Sequence, residues 1–398
     1  MTPKSLPARA SRGLFHPLTF ELAERHPEPR AAMHAAWIRL LGNPRFPVDA
    51  GWIGETPLIA SQTLIDRIDE RLKNLVAWLG PRLDKQNDPA WPLAPAADVL
   101  SADLAIVAAP ETDKGWDLRW VEIQTFTSLV STIYTLHRAA AEVWPELAPL
   151  AFWGAERNDW LAATKAWMAP REGSILLEHA PWSQGTRPDF EAAARWFGLT
   201  VTDAKDVRAR GDVLERCDET GRWHPVPHVA NRLILHEAPA RAELEALLAR
   251  VAPTWNSHPA WYYRVDKGVM PDLPFAPAER CVRGNRWRTL GLAPDKLVAK
   301  ASHSHSGQGV KLHLDAAALD ALDATWIVQP RFSPMPLRKA RDGAALYGEI
   351  RCIVALNGNE PWLACRLVRL NREPVTSTAR WSGAPGEGTV PLYAPPAA

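Results

Sequence analysis

Residues 297–332 constrain the fold more than any other stretch of the chain. They read Leu-Val-Ala-Lys-Ala-Ser-His-Ser-His-Ser-Gly-Gln-Gly-Val-Lys-Leu-His-Leu, then a short helical segment, then Trp-Ile-Val-Gln-Pro-Arg-Phe. The run 297–301 is apolar apart from Lys300, and 310–314 alternates apolar and polar as a half-buried strand does. Between them lies a small polar tip containing Gly307 and Gly309. The pattern predicts a hairpin whose tip can close backbone N–H groups around an anion, because glycine has no Cβ to block the approach. Lys300 adds a point charge beside it. An ordinary surface hairpin satisfies the same letters, so a functional reading needs support from elsewhere.

The remaining chain reads as an α/β protein (α+β in its mixed sheets), 398 residues in two or three units. The expected division is 1–150, 151–255 and 256–398. Residues 1–50 are proline-rich, with one helix over 30–41, and read as a wrapped arm. The stretch 63–79 is an amphipathic helix with Ile65, Ile68, Leu72, Leu75, Val76 and Leu79 on one face. Strands over 103–109 and 118–124 form a hairpin. A helix over 128–144 follows, with Thr127 or Ser128 as its N-cap. From 172 strands and helices alternate: a strand at 174–178, a helix at 188–197 ended by Gly198, strands at 199–202 and 229–235, and a helix at 240–251. Strands at 347–356 and 362–370 precede an irregular tail at 382–398.

Composition excludes several function classes. At 46% hydrophobic and 23% charged, the chain can bury a large core. A net charge of +1 gives no basic surface for nucleic acid or an acidic membrane. Four cysteines without C-x-x-C spacing suggest reduced thiols in a cytoplasmic protein. Residues 1–20 lack an apolar h-region, and no run of 18 apolar residues occurs, so neither a secretory signal nor a membrane span is expected. The 19 tryptophans read as filling for cores and pocket walls.

The chemistry begins with Glu122 and Gln124. Two apart on a strand, they point to one face, and Asp103 on the preceding antiparallel strand can join them. Such hard oxygen donors suit a Mg²⁺ ion that also bridges phosphates. A solvated edge strand produces the same Glu-x-Gln spacing. Together, the lysine-bearing hairpin, the strand ending in Gln329 and the acidic strand pair are the parts of an ATP–Mg²⁺ site. His303, His305 and His313 have zinc-like spacing, yet no cysteine or fourth ligand accompanies them. Glu349 and Arg351 share a strand face and read as a buried ion pair or part of a nucleotide wall. Residues 280–288 carry four arginines and read as a solvated connection.

Lys267, Lys300 with its Ser/Gly tip, and Gln329 resemble the nucleotide site of the ATP-grasp superfamily. The metal-binding Glu-x-Asn of that superfamily has its counterpart here in Val-Glu-Ile-Gln, early in the chain. That order is similar to the circularly permuted ATP-grasp group typified by glutathionylspermidine synthetase, including a small α/β unit like the pre-ATP-grasp domain. The run Arg-Trp-Val-Glu-Ile-Gln-Thr-Phe-Thr-Ser-Leu-Val resembles that group's Glu-Tyr-Asn-x-x-x-Pro-Thr-Ser-Leu signature. Cys-Asp-Glu-Thr-Gly-Arg-Trp and Val-Asp-Lys-Gly-Val-Met are further echoes, in the same order from about residue 55 to 380. The resemblance implies that Asp103, Glu122 and Gln124 hold Mg²⁺, and that Lys267 and Lys300 contact ATP phosphates. Ser306, Gly307, Gln308 and Gly309 would form the lid. Gln329 would meet the adenine amine, with Arg331 nearby. Gln124 stands where the group has Asn. Ser101 stands where it tends to have an arginine, a charge that Arg351, Arg366 or Arg369 could supply. Arg351 and Arg366 are the catalytic candidates. The implied function is an ATP- and Mg²⁺-dependent carboxylate–amine ligase acting through an acyl phosphate on small-molecule acids and amines (amino acid, peptide or polyamine). A degenerate nucleotide- or peptide-binding module and a small-molecule kinase are the alternatives.

Overall fold

A computed structural model describes residues 13–84, 88–150, 157–304, 309–356, 361–374 and 383–396. It is a mixed α/β structure built on a large, mostly antiparallel sheet. The strand order is Leu58–Ile59, Gly388–Tyr393, Trp362–Asn371, Ala345–Ala355, Val99–Ala108, Trp116–Gln124, with Pro336–Lys339 added along Ala345–Ala355. The sheet therefore draws strands from both ends of the chain.

One face of the sheet is covered by the helix Gln62–Leu83, which Ser61 caps by accepting the Leu64 amide at 3.2 Å. Leu64, Ile65, Ile68, Leu72, Leu75 and Leu79 pack with Leu104, Ile123, Ile350, Cys352 and Val368 of the sheet. The other face is divided. Ile353, Cys365 and Leu367 pack into a second core with the helices Pro29–Leu41 and Val130–Val143. The rest of that face stays open as the floor of a cleft.

The 63–79 helix, the 103–109/118–124 hairpin and the paired strands near 350 and 365 are present, within a few residues of their expected limits. Residues 13–50 are more structured than a wrapped arm, adding the helix Leu18–Arg25 to Pro29–Leu41. The tail is not irregular throughout. Gly388–Tyr393 pairs antiparallel with Trp362–Asn371 and parallel with Leu58–Ile59. Pro391 disguises this strand, since proline rarely sits inside a sheet. Gly388 is fixed by close approach: at φ +125° a Cβ there would lie 2.5 Å from the Gly54 amide nitrogen.

A second, fully parallel sheet has the order Thr200–Asp203, Ile175–Glu178, His228–Asn231, Thr254–Asn256. The helix Arg187–Phe197 makes its first crossover and ends at Gly198 in the left-handed conformation (φ 76°). The strand expected over 229–235 stops at Asn231, and Leu235 begins a 3-10 turn. A three-stranded meander, 207–225, is inserted before it. The third sheet carries the predicted hairpin. Leu297–Ala301 lies between Val310–Lys311 and Trp326–Pro330, with Lys300 opposite Val310 and Ile327. The second hairpin strand is shorter than the alternation over 310–314 suggests, because His313 takes a positive φ of 57°.

Candidate functional site

Strand alternation places the acidic pair. Glu122 lies opposite Asp103, Gln124 lies opposite Ser101, and Arg351 lies opposite Asp103 on its other side. A row of Glu122, Asp103 and Arg351 thus crosses three strands on one face. Arg369, paired with Glu349 in the neighbouring row, is on the same face.

Asp103 is almost wholly buried. Arg351 donates to it twice, Nε to Oδ1 at 2.7 Å and Nη2 to Oδ2 at 2.6 Å, and Arg369 adds Nη2 to Oδ2 at 2.8 Å. Burial alone would raise the Asp103 pKa. The Arg351 and Arg369 charges outweigh it and hold the carboxyl below its ordinary value. Arg351 also donates to Ser128 Oγ at 3.1 Å, and Arg369 bonds Glu349. Both carboxylate oxygens of Asp103 are therefore bound by guanidinium, and Asp103 lies beneath the cleft lining. As a magnesium ligand it does not fit; it positions Arg351 and Arg369.

The lysines arrive from the other side. Lys267 opens a 3-10 segment, Lys267–Asp272, and its Nζ bonds Glu122 Oε1 at 3.1 Å and the Ser304 carbonyl. Lys300 Nζ donates to the Val121 carbonyl at 2.6 Å. Burial lowers the Lys300 pKa, and the Glu122 charge partly offsets this. The join is made by Thr125, which the sequence reading passed over. Its Oγ donates to the Trp261 carbonyl at 2.7 Å, and its amide donates to the Val265 carbonyl at 3.1 Å. Thr125 thus ties the end of the Glu122 strand to the segment that delivers Lys267.

A cleft of about 980 Å³ runs between these groups. Glu122, Gln124, Lys267, Lys300, Gln329, Arg331, Arg351 and Arg369 all line it, with Val298, Val310, Phe332 and Met335 as apolar wall. Gln329 is deeply buried at one end, where its Oε1 accepts from the Cys281 thiol at 3.6 Å. Burial pushes that thiol up to about 12. Gly309 closes the described end of the hairpin at φ 67°; Ser306, Gly307 and Gln308 lie outside the described residues.

Arg366 does not reach the cleft. It pairs with Cys352, so alternation turns it to the opposite face, where its nearest carboxylate is Asp69 at 3.6 Å. Of the candidate arginines, Arg351 and Arg369 come together and Arg366 stands apart. The expected N-cap of the Val130–Val143 helix is also different. Leu129 occupies that position at φ 67°, and Asp189 from the Arg187–Phe197 helix accepts the Leu129 and Thr132 amides at 3.0 and 2.8 Å. Asn256 ends a strand and donates to Asp98 at 2.8 Å; Ser257 N and Trp167 Nε1 bond the same carboxyl. His303 pairs with Asp266 at 2.9 Å. Among the described residues no group of three or more His, Cys, Asp or Glu is disposed to hold a metal, and no helix is long and apolar enough to cross a membrane.

No protein-family model matches the chain, and no curated protein matches it. Among solved structures, it is similar to a glutathione synthetase-like effector (GSS30) from Globodera pallida in its apo form. The TM-score is 0.50 at 12% identity, over 93% of this chain and 97% of that one. At that identity the likeness shows a glutathione synthetase-like fold.

Proposed function

We propose that the chain is an ATP- and Mg²⁺-dependent carboxylate–amine ligase on a circularly permuted ATP-grasp frame. The observation that carries this reading is the meeting in one cleft of Glu122 with Lys267, 145 residues later in the chain, and with Lys300 beyond it. Two buried ammonium groups meet there, Lys267 on the Glu122 carboxylate and Lys300 on the Val121 carbonyl. A polyphosphate entering the cleft meets positive charge that is already desolvated and held in place. Gln329 and Arg331, with the apolar wall of Val298, Val310 and Phe332, offer a purine a flat apolar surface and an amide to read its edge. The glutathione synthetase-like fold is consistent with this assignment.

The residues present fit magnesium, with a smaller protein share than the sequence suggests. Glu122 and Gln124 both line the cleft, and Lys267 engages only Oε1 of Glu122. Magnesium commonly takes one or two protein oxygens and completes its shell with phosphate and water. When bound, the ion would neutralise charge on the phosphates. Lys267 and Lys300 hold the phosphate oxygens. Arg351 and Arg369, kept in place by Asp103, face the substrate carboxylate as it takes up the γ-phosphoryl group. Attack by an amine on the resulting acyl phosphate releases phosphate and forms the amide.

The test is ADP release with Mg²⁺ and ATP, screened against pooled amino acids, short peptides and polyamines. Release that requires both an acid and an amine, and that falls at least a hundredfold in Lys300→Ala, is expected. One observation favours a second reading, a nucleotide-binding module without turnover: Asp103 is taken up by arginines and Gln124 replaces the usual Asn, which thins the metal shell. Tight Mg²⁺–ATP binding without ADP release from any pool would select that reading.

A further inference from the structure

The parallel sheet contributes its own wall to the cleft. From Ile175–Glu178 the chain crosses to Thr200–Asp203 on one side, and the later strand His228–Asn231 lies on the other. In parallel α/β sheets, ligands bind beyond the carboxyl ends of strands where such connections diverge. Glu178 ends the first strand. Arg232 follows the second, its amide donating to the Leu177 carbonyl at 2.9 Å, and Glu237 comes shortly after in a 3-10 turn. Glu178, Arg232 and Glu237 all line the same cleft as the lysines.

Arg232 does not set the charge of this wall by itself. Its Nη1 bonds Asp189 Oδ2 at 2.6 Å, with both groups buried. Glu178 and Glu237 both present carboxylates to the cleft lining. Burial, with a smaller push from Glu237, raises Glu178 to about 7 against the pull of Arg232. A cation placed between the carboxylates would reverse that.

Tyr262 supplies an independent observation. It is 5% exposed, lines the cleft, and packs its ring against Phe126 and Tyr263. Its hydroxyl is buried, with no hydrogen-bond partner among the described residues. Buried hydroxyls are rarely left so, and each exception calls for an explanation. Burial, helped by the Asp266, Glu122 and Glu237 charges, raises its pKa, so the phenol keeps its proton and its oxygen is available as an acceptor.

We propose that this end of the cleft is a subsite for a primary alkylammonium group, held by the Glu178 and Glu237 carboxylates and the Tyr262 phenol oxygen. An ammonium brings three N–H donors, and these three groups each offer an acceptor. Naming its occupant as the amine substrate rests on the ligase reading; the ammonium site itself does not.

The test is calorimetric titration of the full chain with n-butylamine, and with neutral n-butanol, at pH 7.5. Wild type, Glu178→Gln and Tyr262→Phe are compared, with Mg²⁺–ATP titrated in parallel. Saturable butylamine binding without butanol binding is expected. Affinity should fall at least tenfold in Glu178→Gln and about threefold in Tyr262→Phe, while Mg²⁺–ATP affinity stays unchanged. Should Glu178→Gln not fold, Glu237→Gln takes its place. No butylamine binding, equal binding of butanol, or an unchanged affinity in either variant overturns the subsite. Butylamine binding as described without Mg²⁺–ATP binding would uphold the subsite and sink the ligase reading.

Discussion

Arg366 and Arg369 are three residues apart on one strand and stand on opposite faces of the large sheet. Arg369 looks into the cleft and shares Asp103 with Arg351. Arg366 is buried beneath the Gln62–Leu83 helix side; among the described residues its Nε and Nη1 have no partner, and its one ion pair is a 3.6 Å contact to the half-exposed Asp69. Around Arg366 the sheet is apolar, and burial lowers its pKa. Around Arg369 charges are interlocked. The face under the Gln62–Leu83 helix is therefore held by side-chain packing, and the cleft part of the other face by mutual neutralisation. They should respond differently to the same kind of damage.

The largest effect is expected on the charged face. Asp103→Ala leaves Arg351 and Arg369 buried without their carboxylate, which costs about 3–5 kcal/mol of stability. Urea denaturation measures it, and a loss under 1 kcal/mol would mean that the two faces do not differ in this way. On the apolar face, Ile350→Ala should cost about 2–5 kcal/mol by cavity formation, while leaving Mg²⁺–ATP affinity intact. A stability loss accompanied by an equal loss of ATP affinity would blur the distinction.

A smaller effect concerns pH. Glu178 has a folded pKa near 7 against an ordinary 4.5, so the folded state holds its proton more tightly than the unfolded state. Stability therefore falls as pH rises from about 4.5 to 7. Glu178→Gln should stabilise the protein by about 1–3 kcal/mol at pH 8 and by nothing below pH 4. Thermal melts at the two pH values check this, and a gain at low pH would have the wrong sign. The smallest change is expected from Arg366→Met. It removes a poorly paired buried cation and should alter stability by about 1 kcal/mol or less, in either direction.

Much of this division was readable in the sequence. Alternation over 118–124 put Glu122 and Gln124 on one face, and the lysine within 297–301 marked the strand that meets them. Alternation also separates Arg366 from Arg369. What it does not say is which of them faces Arg351, since that follows from the pairing of Arg366 with Cys352 across two strands. Thr125 and Asp189 act on backbone groups far away in sequence, the Val265 carbonyl and the Leu129 amide, so no local pattern announces them. The strand Gly388–Tyr393 was hidden by Pro391 and by a neighbour more than 300 residues earlier, Leu58–Ile59.

The central claim is that the charged face, and not the apolar one, receives a polyphosphate. Isothermal titration with ATP and Mg²⁺ of wild type, Lys300→Ala and Arg366→Met tests it most directly. We expect binding by wild type and Arg366→Met with equal affinity, and at least tenfold weaker binding by Lys300→Ala. Equal affinity in all three proteins, or no binding by wild type, would contradict the account.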